Sequence, residues 1–449
     1  MCPPIAARPG GPPLKNAFSM PNSLKSFGPL LTLSWAVYLG CSWTWCIGMF
    51  LPVILVSEFG NIAWFVFAIP NVIGAGAMGW ILARPGSSEK IVAEHREACV
   101  AFSAVTFAFH LFFLYWLAHI GLMPIALGII AIAGGVILGF AGRWLSGLDL
   151  VAGWLVFGVS LAVLGKGLMH PIFGVTDPLV WDTSGPGREM ISPVWELTKA
   201  MAGLSPVCVF GFLLCPYLDV TFHRARQKTT PNAGKAAFGI GFGVVFFAMI
   251  VLTLMYAGDF ARDTSLEDRF GSFGGALLVT WVALHIATQT GFTFATHIRA
   301  LPRPRMGDLI IWIVAGILLS LTIFAIRQEM WFAVKQLKLA MLSGQLMYEL
   351  FMSFYGLIFP AYVWICMVPI RGKAPGPTVP ALAVFVIAVA IACPMFWMGF
   401  IVQQTLWLIP GVLVVVSARW FVREGANVQR PTLNVPLSKE DGYLSSLES

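Results

Sequence analysis

The sequence predicts an all-α polytopic membrane protein of about twelve transmembrane helices, and three observations lead there. The first is composition. Hydrophobic residues make up 58 % of the chain and charged residues 11 %, with a mean hydropathy of +0.81, a balance that in water would expose far too much apolar surface. The second is the recurrence of apolar runs of about 20 residues, each long enough to cross about 30 Å of hydrocarbon as a helix. The third is charge placement: twenty of the 28 Lys and Arg residues fall into every second gap between those runs.

Taken in order, the runs lie near 28–56, 60–83, 98–119, 122–142, 147–166, 193–222, 235–257, 272–298, 306–326, 343–370, 380–398 and 402–421. They divide the chain into a cytoplasmic tail at 1–27, five spans over 28–166, an extracytoplasmic loop at 167–192, five more spans over 193–370, two additional spans over 371–423 and a second tail at 424–449. The first tail carries Pro3, Pro4, Pro12 and Pro13 and no basic segment feeding a short apolar core, so it reads as a tail and not a signal peptide. The last stretch is polar, with Pro431 and Pro436, and reads as loosely ordered.

With the N-terminus inside, the cytoplasmic segments hold Arg8, Lys15 and Lys25, then Arg84, Lys90 and Arg96, then Arg143, then Arg224, Arg226, Lys228 and Lys235. They continue with Arg299, Arg303 and Arg305, with Arg371 and Lys373, and with Arg419, Arg423, Arg430 and Lys439. The opposite face has Lys166, Arg188, Lys199, Arg262, Arg269, Arg327, Lys335 and Lys338, spread over long loops where the charge rule is weakest. This places both termini in the cytoplasm of a multi-pass cell-membrane protein. The net charge of +7 is then a topology signal and a match to anionic lipid, not a nucleic-acid surface.

No GxxxxGK[ST] phosphate loop occurs, so energy for any transport must come from a gradient. Cys41, Cys46, Cys99, Cys208, Cys215, Cys366 and Cys393 lie in or at the ends of spans and Cys2 in the tail, which argues against a disulfide framework; no CxxC pair is present. Glu94 and His95 are adjacent and not at ligand spacing, so neither a structural metal nor a resident cofactor is expected. An enzyme is not expected either: His110, His285, Asp149 and Glu349 fall at different depths with no recurring nucleophile–base spacing.

Laid against each other, the first and second groups of five spans correspond in three places, and because five is odd the second copy is inverted. Spans one and six are both interrupted. Span one carries Gly40, Cys41, Ser42, Trp43, Thr44, Trp45, Cys46, Ile47 and Gly48 at its middle, with Pro52 beyond; span six has Pro206, Gly211, Cys215 and Pro216, then Tyr217 and Asp219. Such breaks free backbone groups that hydrocarbon cannot satisfy, and freed carbonyls or N–H groups can hold a cation or an anionic substrate group. Spans two and seven are glycine-rich, with Gly74, Gly76 and Gly79 against Gly239, Gly241 and Gly243, which helix packing alone explains. Spans three and eight carry His110 and His285 inside apolar runs, and span eight adds Thr280, Thr288, Gln289, Thr290 and Thr293. These side chains can serve a solute or ion, or simply satisfy one another and their own helix.

The broken spans GCSWTWCIG and GFLLCPYLD, the topology and the long outer loops resemble the LeuT-fold secondary transporters of the amino acid, polyamine and organocation superfamily, with sodium/solute symporters as looser cousins. The resemblance covers about 28–370 as a five-plus-five inverted core, with two C-terminal helices after it; no family signature matches residue for residue. It implies a solute site at the two breaks, walled by spans three and eight, formed by Ser42, Trp43, Thr44, His110, Phe210, Gly211, Cys215, Tyr217 and His285. It also implies a Na⁺ site at the carbonyls near Leu39 and Ser42 with Thr288 and Gln289. The adjacent pair of small hydroxyl residues usual there is absent, since Gln289 takes the second place, and proton coupling stays open beside sodium.

Asp149 resembles in position an acidic residue near the ion exit path, or is a helix-start carboxylate favoured by the positive end of the helix. Asp219 with Arg224 and Arg226 reads as an inner-end ion pair or gate. Glu349, with Gln345 and Tyr348, reads as an external gate, and Glu196 with Lys199 as a pair within one turn. The outer loops at 168–193 and 257–272 are long enough to act as lids. The functional expectation is a Na⁺- or H⁺-coupled importer of a small polar organic solute, working by alternating access with lipid and solute as its partners. The alternative is a membrane sensor or assembly protein that keeps the fold without turnover.

Overall fold

Hydrocarbon offers no water to backbone N–H and C=O groups, so a chain this apolar satisfies them along its own helical axes. The computed structural model is accordingly all-helical apart from one three-residue ladder, and it describes residues 28–59, 62–169, 194–260, 273–327, 332–334, 339–341, 343–369 and 374–422. Both tails, most of the 167–192 loop, residues 261–272 and the side chains of Lys166, Glu196 and Gln345 lie outside the described residues.

The first expected span is two helices, α1 (Gly28–Trp43) and α2 (Cys46–Phe59), bent by 55° at Thr44 and Trp45. Next come α3 (Ile62–Ile81), a short α4 (Ser87–Glu94), α5 (Arg96–His119), α6 (Ile125–Ala141) and α7 (Leu148–Met169). The sixth span is divided too. Here α8 (Val194–Leu214) gives way to a 3₁₀ turn at Cys215–Leu218, an extended Asp219 and α9 (Val220–Gln227).

Thr230 caps α10 (Pro231–Ile240), with Pro231 in the first turn where its missing N–H costs nothing. A π turn at Gly241–Phe246 continues it into α11 (Phe247–Phe260). Helices α12 (Phe273–Ala300) and α13 (Asp308–Arg327) precede the ladder, in which β1 (Phe332–Val334) pairs antiparallel with β2 (Leu339–Met341). The tenth run is α14 (Ser343–Ser353), a π turn at Phe354–Ile358, α15 (Phe359–Tyr362) and a second π turn at Val363–Met367. Helices α16 (Val379–Phe396) and α17 (Leu408–Ala418) close the described chain.

Among the described residues, eight helices are long and apolar enough to cross a bilayer, or nine when the bent α1–α2 pair is one span. Two shorter apolar segments, Ile125–Ala141 and Thr405–Phe421, stand where the fourth and twelfth runs were drawn. Burial separates centre from rim: 78 % of the apolar window of α5 is enclosed, against 22 % for α13 and for Val379–Ile401, which face outward. The protein is therefore membrane-embedded, with α5 at its axis.

The helices pack as α3 on α8, α11 on α2, α6 on α12, α13 on α5, α7 on α1 and on α12, and α14 on α5. Glycines permit the closest of these approaches. A Cβ on Gly40 would fall 2.9 Å from the Gly241 carbonyl, and one on Gly241 would fall 2.7 Å from the Ala36 carbonyl, so α1 and the 241–246 turn touch backbone to backbone. Gly135 of α6 likewise lies against the Gly291 carbonyl of α12.

At one end, Arg96 grips Asp308 through two bonds of 2.5 and 2.7 Å and also reaches the Arg303 carbonyl at 2.6 Å. Both side chains are almost fully buried (5 % and 6 % exposed), so the pair ties the starts of α5 and α13. On the same face His95 bonds Tyr362, and His223 bonds Ser88 and the Tyr217 carbonyl. Burial pushes each of these imidazoles from the usual 6.5 down to about 4, so both are neutral.

Candidate functional site

The break between α1 and α2 meets the start of α9. Ser42, at the end of α1, and Thr221, in the first turn of α9, bring their hydroxyls to 3.2 Å, and the rings of Trp43 and Phe222 pack at 4.9 Å beside them. Trp43 donates its indole N–H to Asn71 of α3 at 2.6 Å, while Thr44 returns its hydroxyl to the Gly40 carbonyl at 2.8 Å. The break is thus braced from three sides.

The second half of span one is anchored at its first residue. His110 donates Nδ1–H to the Thr106 carbonyl at 2.8 Å, which leaves Nε2 to accept the Cys46 N–H at 3.4 Å. The Tyr348 hydroxyl donates to the Cys46 carbonyl at 2.8 Å. One peptide at the start of α2 is therefore held by α5 and α14 together.

Between the breaks lies Trp45, named above at the interruption of span one but not among the expected solute residues. Its indole N–H donates to the Ser42 carbonyl, and its ring packs against Trp43, Phe102, His297 and Tyr355 at 4.5 to 5.8 Å. His297, likewise not among the expected residues, bonds Ser103 through Nδ1 at 3.1 Å, and its buried Nε2 has no hydrogen-bond partner among the described residues. His285, chosen from the same helix, sits elsewhere: it bonds Ser160 of α7 at 3.0 Å and holds α12 to α7.

The remaining expected solute residues divide. Cys215 gives its thiol hydrogen to the Tyr355 carbonyl at 3.2 Å and belongs to the centre. Gly211 lines a cavity of about 70 Å³ between α2, α8, α14 and the 399–405 segment. Phe210 turns to Trp364, with ring centres 6.3 Å apart, and Tyr217 meets His223 through its carbonyl.

Of the oxygens named for sodium, those of Leu39, Ser42 and Thr288 are engaged inside the protein, whereas the Gln289 Oε1 is buried with no hydrogen-bond partner among the described residues. The Leu39 carbonyl accepts the Ser42 hydroxyl at 3.1 Å, and the Ser42 carbonyl takes the Trp45 indole. Thr288 turns back to Leu284 and His285 of its own helix at 2.9 and 3.0 Å. The Gln289 amide bonds Ser160 at 3.1 Å and the Met249 sulfur at 3.2 Å, and Met249 also faces Cys41 and Thr44. A thioether and a thiol among these donors suit a hard alkali cation poorly.

The acidic residues also rearrange. Asp149 lies in the first turn of α7 and pairs with Arg224 at 3.0 Å and Arg299 at 2.5 Å, joining α7, α9 and α12. Asp219 does not pair with Arg224 or Arg226, because Arg224 is spent on Asp149 and Arg226 on the carbonyls of Leu82, Ala83, Thr229 and Thr230. Instead Asp219 caps α9, its Oδ1 accepting the Thr221 N–H and hydroxyl at 2.7 Å each. Glu349 lines the cavity beside Tyr348, and the Gln403 amide approaches it at 3.5 Å. Among the described residues no group of three or more His, Cys, Asp or Glu has metal-holding geometry. The chain matches no protein-family model, and no curated protein matches it.

Proposed function

We propose that the protein is a gradient-driven transporter of a small polar organic solute, of LeuT-like design, working by alternating access in the cell membrane with both termini cytoplasmic. The observation that carries this reading is the junction of two broken helices, Ser42 against Thr221, where backbone and polar side chains collect inside an apolar body. The packing pattern supports it. Shifting every span by five turns the α3–α8 contact into α11–α2, α6–α12 into α13–α5, and α7–α12 into α14–α5, as two inverted halves require. The unpartnered Nε2 of His297 beside Trp45 is a polar contact in reserve for a solute.

A twelve-span count belongs to the same reading: to the nine it adds Ile125–Ala141 and Thr405–Phe421, crossing as short helices with the bilayer thinned around them, and the more polar α12. The test is uptake of radiolabelled amino acids, nucleobases, sugars and osmolytes into vesicles holding the purified chain, under an imposed Na⁺ or H⁺ gradient. Accumulation that needs a gradient is expected; uptake indifferent to both gradients would count against coupled transport. A sensor or assembly role is the second reading, favoured by the dense aromatic packing around Trp45.

A further inference from the structure

The turn between α8 and α9 ends on a carboxylate, Asp219, that has no counter-charge among the described residues. Asp219 is wholly buried; its Oδ1 is satisfied by Thr221, but Oδ2 has no hydrogen-bond partner and no cation among the described residues. Removing a charge from water without pairing it is among the most expensive arrangements in a protein, and binding a cation at the bare oxygen relieves it.

The surroundings say which cation. Tyr38 on α1, Cys99 on α5 and Tyr355 on span ten lie within electrostatic range of the carboxylate, and all three are neutral groups. The arginines of α9 and the one at the end of α12 are engaged elsewhere: Arg224 and Arg299 share Asp149, and Arg226 is tied to backbone carbonyls. On the same helix, His223 is held neutral between Ser88 and Tyr217. The Tyr38 hydroxyl, one turn before Ser42, is likewise buried without a partner. Oδ2 is sealed from solvent, and a proton needs no coordination shell around it.

We propose that Oδ2 of Asp219 is the proton-binding atom of a proton-coupled cycle, an inference that rests on the transport reading above. The step is a simple one: a proton arrives from the aqueous phase, forms the carboxyl O–H at Oδ2, and leaves to the other phase when α9 moves away from α1. The side chain sits two residues before Thr221, so its charge state reports directly on the contact between the two broken spans.

The test is infrared spectroscopy of the full-length chain in lipid vesicles, titrated from alkaline to acidic pH without sodium. A protonated-carboxyl band is expected in the native protein, absent in Asp219→Asn and shifted in frequency in Asp219→Glu. The same band persisting in Asp219→Asn, or standing unmoved in Asp219→Glu should the Asn variant not fold, would overturn the assignment. Sodium added at fixed pH is expected to leave the band unchanged; its loss would give the oxygen to the metal ion and overturn the proton. A band that behaves as expected in vesicles that accumulate none of the tested amino acids, nucleobases, sugars or osmolytes under either a pH or a Na⁺ gradient would remove the transport reading and leave proton binding at Asp219 standing.

Discussion

The hydroxyls of Ser42 and Thr221 lie 3.2 Å apart, one on each broken span. Replacing both by cysteine gives a reversible lock. The pair Ser42→Cys and Thr221→Cys is expected to cross-link under mild oxidation or bind Cd²⁺, and, on the proposed transport reading, in which the two helices part before release, uptake by the locked protein should fall about tenfold or more. Full activity of the cross-linked protein, restored no further by a reductant, would show that these helices do not part.

His110 holds the first peptide of α2 through Cys46. His110→Ala strands that buried N–H and should lower the stability of the detergent-purified protein by about 1–3 kcal/mol. His110→Gln, which can still offer an acceptor, should recover part of the loss in a thermal melt. Equal melting of the two variants would mean the contact is incidental.

The Arg96–Asp308 pair is buried and bidentate, so removing one partner is costlier than removing both. Asp308→Asn should destabilise by about 3–5 kcal/mol, whereas Arg96→Met with Asp308→Leu should come close to the native protein. Unfolding curves for the three proteins check the order.

Two buried neutral imidazoles make stability depend on pH. His95 and His223 titrate near 4 when folded and near 6.5 when unfolded, so below 6.5 the unfolded chain takes up protons that the native one refuses. Their contribution is complete above pH 6.5, declines as the pH falls and is exhausted below about 4. Melting temperature should drop across that window and drop less in His95→Gln, once the two proteins are compared at neutral pH.

Much of the architecture can be read from residues alone, because apolar runs announce helices and Pro216 marks the turn after α8; Gly40 and Pro206, by contrast, lie inside α1 and α8, and the bend of the first run falls at Thr44 and Trp45. The rotation of a helix about its axis is another matter. In a membrane both the lipid face and the core face are apolar, so the usual amphipathic stripe is missing and nothing in the order of residues tells inward from outward. His285 and His297 show the consequence: twelve residues apart, they stand about 120° round α12 and about 18 Å along it, and only the second reaches Trp45. The Thr288 hydroxyl shows a more local effect, since a threonine in a helix can donate to the carbonyls one turn before it. The partners of Asp149 are hidden by distance in sequence, because Arg224 and Arg299 reach it from 75 and 150 residues away, whereas Asp219 finds Thr221 only two residues on.

The indole of Trp45 gives its N–H to the Ser42 carbonyl at the point where the backbone would otherwise be open. On the proposed reading, the protein carries an occupant of its own in the place a guest would need. A solute that uses that carbonyl must exchange with the ring, not merely add to the surface, so its measured affinity is its intrinsic affinity reduced by the rarity of the state in which the ring has swung aside. Selectivity becomes a contest with a fixed internal rival, and a smaller side chain at Trp45 should make the protein bind more tightly and choose less well.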